Sequence, residues 1–154
     1  MEQKTTIRAE EGKPDLTILR EFDLPLELLF EAYAEAEYLE QWMGTKVLKL
    51  ENNKFGSFVF ETSHNGQVVF RANGTIHEFI PNQKIIRTFE MENGSMGVQL
   101  EFLEFEKLSS QRSKLSIHIL YRSEEHRAAQ LKMPFASGLS MAHDRLQNIL
   151  SNLK

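Results

Sequence analysis

The stretch Ile18-Leu-Arg-Glu-Phe-Asp-Leu-Pro-Leu-Glu-Leu-Leu-Phe-Glu-Ala-Tyr33, continued to Gln41-Trp-Met-Gly44, decides the fold. It predicts a strand that ends at Phe22 and a helix over 25–34, because the N–H that Pro25 lacks is not needed in a first turn. A second helix over 37–42 ends at Trp42, the only tryptophan of the chain. The apolar face of the first helix comprises Leu28, Leu29, Ala32 and Tyr33.

The middle of the chain alternates apolar and polar residues, which is typical of strands. Short turns rich in Asn, Gly, Pro and Ser separate these segments, so consecutive strands are expected to pair as an antiparallel meander. The predicted strands are Asp15–Phe22, Val47–Leu50, Phe55–Thr62, Val68–Ile80, Lys84–Met91, Met96–Phe105 and Ser113–Arg122.

The spacing of apolar residues changes to three and four after Ser123, which indicates helix. Ser123 can cap the first turn of that helix, which we expect to end near Lys132. Pro134 either kinks one helix or opens a second one, and we favour the second interpretation. The segment from Pro134 to Leu153 would then be roughly 30 Å long, enough to cross a sheet.

Composition and charge exclude several classes of protein. The chain has 154 residues, a net charge of −4 and no cysteine, which argues against a nucleic-acid binder and against a disulfide scaffold. No apolar run reaches the length of a membrane span, and the polar start does not resemble a signal peptide. We therefore expect a cytoplasmic protein with a tail over 1–14, or a weak edge segment there, and a single domain over 15–154.

A twisted antiparallel sheet needs an apolar cover on its concave face, and the last helix is the only long element available. Because a straight helix cannot touch a curved sheet everywhere, we expect a cavity between them. Each candidate wall residue has solid core as its alternative. The candidates are Trp42, Phe58, Phe60, Phe70, Ile76, Phe89, Leu100, Phe102, Leu115, Ile117, Ile119, Phe135 and Leu139.

Several short motifs carry a family resemblance over about residues 16–150. They are Arg20-Glu21-Phe22 with Pro25, Phe30-Glu31-Ala32, Trp42, Gly56 before Phe58, Gly74-Thr75-Ile76-His77-Glu78-Phe79-Ile80-Pro81, Ile86-Arg87-Thr88-Phe89 and Asp144-Arg145-Leu146. In their order and spacing they resemble the homologues of the heat-shock-protein-90 ATPase activator, within the START-like helix-grip superfamily.

The resemblance implies an α+β helix-grip fold. Its curved antiparallel sheet of six to seven strands wraps around a long C-terminal helix, with two short helices near the N-terminus. It also implies a cavity, with Trp42 beside its opening. The chain departs from the family at Met43, where a second tryptophan is frequent, and at Gly56-Ser57, where a double glycine is frequent.

Glu78 is the ionisable residue that attracts most attention, because it shares strand parity with Ile76 on an apolar face. A buried carboxylate needs a cation nearby or a raised pKa, and Arg20 and Arg87 are the candidate partners. A Glu–Arg pair of this kind either fixes the strand register or anchors the polar end of a ligand. Acid–base chemistry by Glu78 is a third interpretation.

No motif supports catalysis, a cofactor or a metal. The five histidines lack the spacing of zinc sites, and no nucleotide-binding loop or nucleophile elbow occurs. We therefore name no catalytic residue and predict no cofactor and no metal.

Three functions remain as hypotheses. The first is binding of a small hydrophobic or amphipathic molecule in the cavity. The second is a small enzyme of cyclase or hydrolase type that uses Glu78, Arg87 and His118. The third is an interaction module for a chaperone ATPase, as the family name implies. A homodimer through a sheet edge or the outer face of the last helix stays open.

Overall fold

The computed structural model describes residues 4–92, 94, 97–132 and 134–153. In chain order the elements are β1 (Thr6–Arg8), β2 (Asp15–Phe22), α1 (Leu26–Ala34), α2 (Ala36–Met43), β3 (Lys46–Leu50), β4 (Ser57–His64), β5 (Gln67–Ile80), β6 (Lys84–Met91), β7 (Val98–Ser109), β8 (Arg112–Leu120), α3 (Glu124–Leu131) and α4 (Phe135–Ser151).

The strands form one antiparallel sheet in the order β1-β2-β8-β7-β6-β5-β4-β3. Strands β3 to β8 are the predicted meander, and β2 pairs with β8 along its whole length. The described residues contain eight strands rather than six to seven, since Thr6–Arg8 pairs with β2 inside the segment predicted as a tail or edge segment. The predicted start of β7 at Met96 lies outside the described residues.

Local sequence signals set the helix ends. The carbonyl oxygen of Pro25 accepts the first hydrogen bonds of α1, from the N–H groups of Leu28 and Leu29. Gly44 adopts φ 66°, a left-handed conformation that ends α2 without strain. The hydroxyl of Ser123 accepts a hydrogen bond from the N–H of His126 and caps α3.

The core lies between the inner face of the sheet and helices α1, α2 and α4. Its centre holds fully buried side chains from β2, β4, α1 and α4, such as Phe22, Phe58, Leu29 and Leu146. No helix among the described residues has the length and apolar character that a membrane crossing requires.

Candidate functional site

A cavity of about 360 Å³ lies between the first half of α4 and the inner face of the sheet. Such a volume falls in the lower part of the range of small-molecule sites. The helices contribute Tyr33, Trp42, Met43, Phe135, Leu139 and Ala142 to its wall. The strands contribute Ile18, Phe89, Met91, Ile117 and Ile119.

The two halves of α4 pack differently, and this difference creates the cavity. In the second half His143, Leu146 and Leu150 are buried, whereas Phe135 and Leu139 in the first half are only partly buried. Gly138 also lines the cavity, and a Cβ atom built there has no heavy atom within 4 Å. The first half of α4 therefore covers the sheet without filling the space beneath it.

A buried polar cluster interrupts the apolar wall. The Nε atom of Arg87 donates to Glu101 Oε1 at 2.9 Å, and the side-chain amide of Gln99 donates to Glu101 Oε2 at 2.8 Å. All three residues are buried and line the cavity. Both carboxylate oxygens of Glu101 thus have a donor, as a buried ionised group requires.

Aromatic rings also hold the guanidinium of Arg87 in place. Its carbon Cζ lies 5.1 Å from the ring centre of Phe58 and 5.8 Å from that of Phe89. These distances allow cation–π attraction, which is stronger away from water. The cluster is a rigid, electrically balanced feature of an otherwise apolar wall.

A second polar network reaches the cavity through α1. The Tyr33 hydroxyl oxygen lies 3.4 Å from Nε2 of His143, and Nδ1 of His143 lies 2.8 Å from the Thr5 hydroxyl. Arg20 donates to Thr5 and pairs with Asp144 at 2.9 Å. The network therefore joins the N-terminal segment to β2, α1 and α4.

Burial determines the ionisation of this network. It lowers the pKa of His143 to about 3, with the positive charge of Arg20 acting in the same direction. It also raises the pKa of Tyr33 well above its ordinary value. His143 is therefore neutral and Tyr33 protonated throughout the physiological pH range.

Six of the thirteen predicted wall residues line the cavity, namely Trp42, Phe89, Ile117, Ile119, Phe135 and Leu139. Arg87, predicted as a charged partner of Glu78, lines it as well. By contrast, Phe58, Phe60, Ile76 and Leu115 are part of the solid core, the alternative that their apolar side chains also allow. Phe70 lies on the exposed end of β5, where residues 67–71 extend beyond the core, so its placement in the wall is wrong.

The inward placement of Glu78 is also wrong, because β5 contains a bulge. Ile76 pairs with Arg87, but the next pair is Glu78 with Ile86, so one residue of β5 is skipped between them. Since Arg87 faces inward, Ile86 and Glu78 face outward. The carboxylate of Glu78 pairs with Lys84 at 3.3 Å, and neither Arg20 nor Arg87 is its partner.

The predicted face of β7 is reversed as well. Gln99, Glu101 and Leu103 are buried on the inner face, whereas Leu100 and Phe102 point outward. The Phe102 ring stacks on the imidazole of His118 in β8. Nε2 of His118 is hydrogen-bonded to Oδ2 of Asp15 at 2.7 Å. The three residues of the enzyme hypothesis are consequently divided between the two faces of the sheet, with Arg87 inside and Glu78 and His118 outside.

The sequence patterns did not indicate four residues of the site: Tyr33, Gln99, Glu101 and His143. The signal for β7 was the apolar pair Leu103 and Phe105, whose parity places Glu101 and Gln99 on the inner face. No sequence signal linked Tyr33 to His143, since they meet only when α1 packs against α4.

A family model described as "Activator of Hsp90 ATPase homolog 1-like protein" matches residues 23–151, most of the chain. The chain belongs to this family. The matched range begins after β2 and includes every helix that lines the cavity. None of the curated proteins matches the sequence.

Several solved structures share the fold of this Hsp90-activator-like chain at low sequence identity. Protein Ms6760 from Mycobacterium smegmatis has 19% identity and a TM-score of 0.83, with 96% of each chain covered. A protein from Rhodobacter sphaeroides has 19% identity and a TM-score of 0.84, covering 98% of this chain and 99% of its own. A protein from Arthrobacter aurescens has 17% identity and a TM-score of 0.84, and the match covers 96% of this chain and 91% of the Arthrobacter chain.

These similarities establish the START-like helix-grip fold for this member of the family. One departure from the family pattern bears on the site, because Met43 lines the cavity. A flexible methionine there adapts its shape more readily than a tryptophan would.

Proposed function

We propose that this family member binds a small apolar or amphipathic molecule between α4 and the sheet. The cavity carries the proposal: its wall is mainly aliphatic and aromatic, and its buried polar atoms are few and close together. Sites of this composition gain binding energy from apolar burial and obtain orientation from the polar groups.

Gly138 is exposed but lines the cavity, so a larger side chain at this position tests whether the guest occupies that part of the wall. Gly138→Leu adds a side chain at a position of the wall with open space beside it. We expect it to weaken binding of a reference hydrocarbon, 2-isopropylnaphthalene, by about tenfold or more, since the guest and the new side chain compete for one volume. Affinity is measured by isothermal titration calorimetry, after a wider screen of lipids, aromatic acids and polyketides by native mass spectrometry.

Ala136→Leu is the matched control, because Ala136 is exposed on the same helix and does not line the cavity. It should leave the affinity within about twofold of the parent protein. Equal affinities of the Gly138 variant and the parent, or no guest from any class of the screen, would refute binding in the cavity.

The family description supports a second proposal, an interaction with a chaperone ATPase. It requires a surface outside the cavity, and the outer face of the sheet offers a groove formed by Thr17, Leu19, Phe102, Glu104, Ser116 and His118. An Hsp90 ATPase assay with added protein tests it, with Phe102→Ser as the variant. Stimulation that this variant removes supports the interaction, and unchanged chaperone activity with the parent protein contradicts it.

A further inference from the structure

The hydroxyl of Tyr33 is a buried polar group at the cavity wall. Tyr33 is only 5% exposed, and its ring lies 5.0 Å from Trp42 between ring centres. Within the described part of the chain its one hydrogen-bond neighbour is Nε2 of His143, at 3.4 Å. A phenol can both donate and accept, so the direction of this contact decides what the cavity offers a guest.

The direction follows from Arg20, which can only donate. Its NH1 group donates to the Thr5 hydroxyl oxygen at 3.1 Å. The hydroxyl proton of Thr5 needs an acceptor, and the other polar contact of that oxygen in the described residues is Nδ1 of His143 at 2.8 Å. Although the Thr5 oxygen can accept two hydrogen bonds, its own proton has no other acceptor among the described residues, so we assign Thr5 as the donor to Nδ1, which then carries no proton.

A neutral histidine without a proton on Nδ1 carries it on Nε2. The Nε2–H group of His143 then donates to the Tyr33 oxygen, which becomes the acceptor of that contact. The phenolic proton of Tyr33 is consequently not used by His143. The charges of Arg87 and Glu101 act on the Tyr33 hydroxyl, and all three residues line the cavity, so this O–H group is within reach of a guest there.

We propose that the Tyr33 hydroxyl donates a hydrogen bond to a carbonyl oxygen of an otherwise apolar, uncharged guest. This inference rests on the proposed function and names the class of ligand. An uncharged guest is favoured because Glu101 already balances the charge of Arg87 at 2.9 Å. A carboxylate guest would add a second negative charge beside Glu101, where water does not screen the repulsion.

Three naphthalenes of equal size separate these chemistries: 2-acetylnaphthalene, 2-isopropylnaphthalene and 2-naphthoate. We expect the ketone to bind the parent protein about 3- to 10-fold more tightly than the hydrocarbon, which corresponds to one net hydrogen bond. Tyr33→Phe removes only the hydroxyl and should reduce that ratio to about one. Tyr38→Phe, in a partly buried ring on α2 that does not line the cavity, should leave the ratio unchanged.

The ¹⁵N chemical shifts of His143 test the tautomer in the parent protein without any guest. They should show a protonated Nε2 and an unprotonated Nδ1. The opposite tautomer overturns the inference, as does tighter binding of the naphthoate or a ketone preference that survives in Tyr33→Phe. Binding of the hydrocarbon with no ketone preference overturns the inference alone, whereas failure of all three probes overturns the proposed function with it.

Discussion

At the scale of single residues, the buried pair of Arg87 and Glu101 is the costliest feature of the site. Both side chains are withdrawn from water, so their mutual hydrogen bond and charge compensation must replace the lost hydration. Removal of one partner leaves the other charge buried alone. The stability of the folded protein therefore depends on the intact ion pair of Arg87 and Glu101 inside the apolar wall.

Glu101→Gln should lower the free energy of unfolding by about 3 kcal/mol, because it removes the charge that balances Arg87. Urea denaturation measures the change. Glu78→Gln is the matched control, since Glu78 pairs with Lys84 on the exposed face and should cost less than about 1 kcal/mol. Equal losses in the two variants would show that Arg87 does not depend on Glu101.

His143 predicts how stability changes with pH. The unfolded chain binds a proton on histidine near pH 6.5, whereas the native protein resists protonation of His143 down to about pH 3. The unfolded state therefore holds more protons in this interval, and acidification favours it. The contribution of His143 is fully present above pH 6.5 and is lost by up to about 1.4 kcal/mol per pH unit below it.

Urea denaturation at pH 7 and at pH 5 tests this dependence by comparing the parent with His143→Gln. Subtracting the variant cancels the contribution of every other group that titrates equally in both proteins. The stability of the parent should fall by more than that of the variant. A parallel fall in the two proteins would contradict a buried neutral His143.

At the scale of helices and strands, two glycines with opposite surroundings give opposite predictions. A Cβ atom at Gly74 on β5 would lie 2.0 Å from the carbonyl oxygen of Thr88 and 2.4 Å from the Phe58 ring. Gly74→Ala should therefore cost about 2 kcal/mol or more, since neighbouring backbone must move. Gly138→Ala should stabilise α4 by up to about 1 kcal/mol, because its surroundings are open and alanine favours helix.

Thermal and urea denaturation of the two variants measure these changes with opposite signs. A neutral Gly74→Ala would show that β5 and β6 are farther apart than the structure places them. A destabilising Gly138→Ala would mean that the space beside α4 is occupied.

The order of the elements could be predicted because caps and turns are local. Pro25, Ser123 and Pro134 determine helix starts through the groups that they provide or lack, whatever the rest of the chain does. The faces of β5 and β7 could not be predicted from local sequence. A bulge between Ile76 and Glu78 reverses the parity of one strand, and apolar residues occupy both faces of the other.

The site depends on contacts between distant parts of the chain. Tyr33 and His143 are 110 positions apart, and Arg87 and Glu101 meet only through the pairing of β6 with β7. Sequence patterns therefore indicated the aromatic residues Trp42 and Phe89 and the cation Arg87, but not its partner Glu101.

At the scale of the whole molecule, the two halves of α4 have different structural roles. Its second half joins the core through Leu146 and Leu150, which fixes the helix across the sheet. Its first half leaves space beneath Phe135 and Leu139. Stability and the proposed guest binding thus depend on different halves of one helix, so a change in the first half is expected to alter binding without unfolding the protein.

Intermolecular nuclear Overhauser effects between 2-isopropylnaphthalene and the methyl groups of the protein test the binding claim most directly. We predict contacts from the guest to Ile117, Ile119 and Leu139, which surround the cavity. Contacts to Leu19 in the groove on the outer face of the sheet, or none to the cavity methyl groups at saturating guest, would contradict the account.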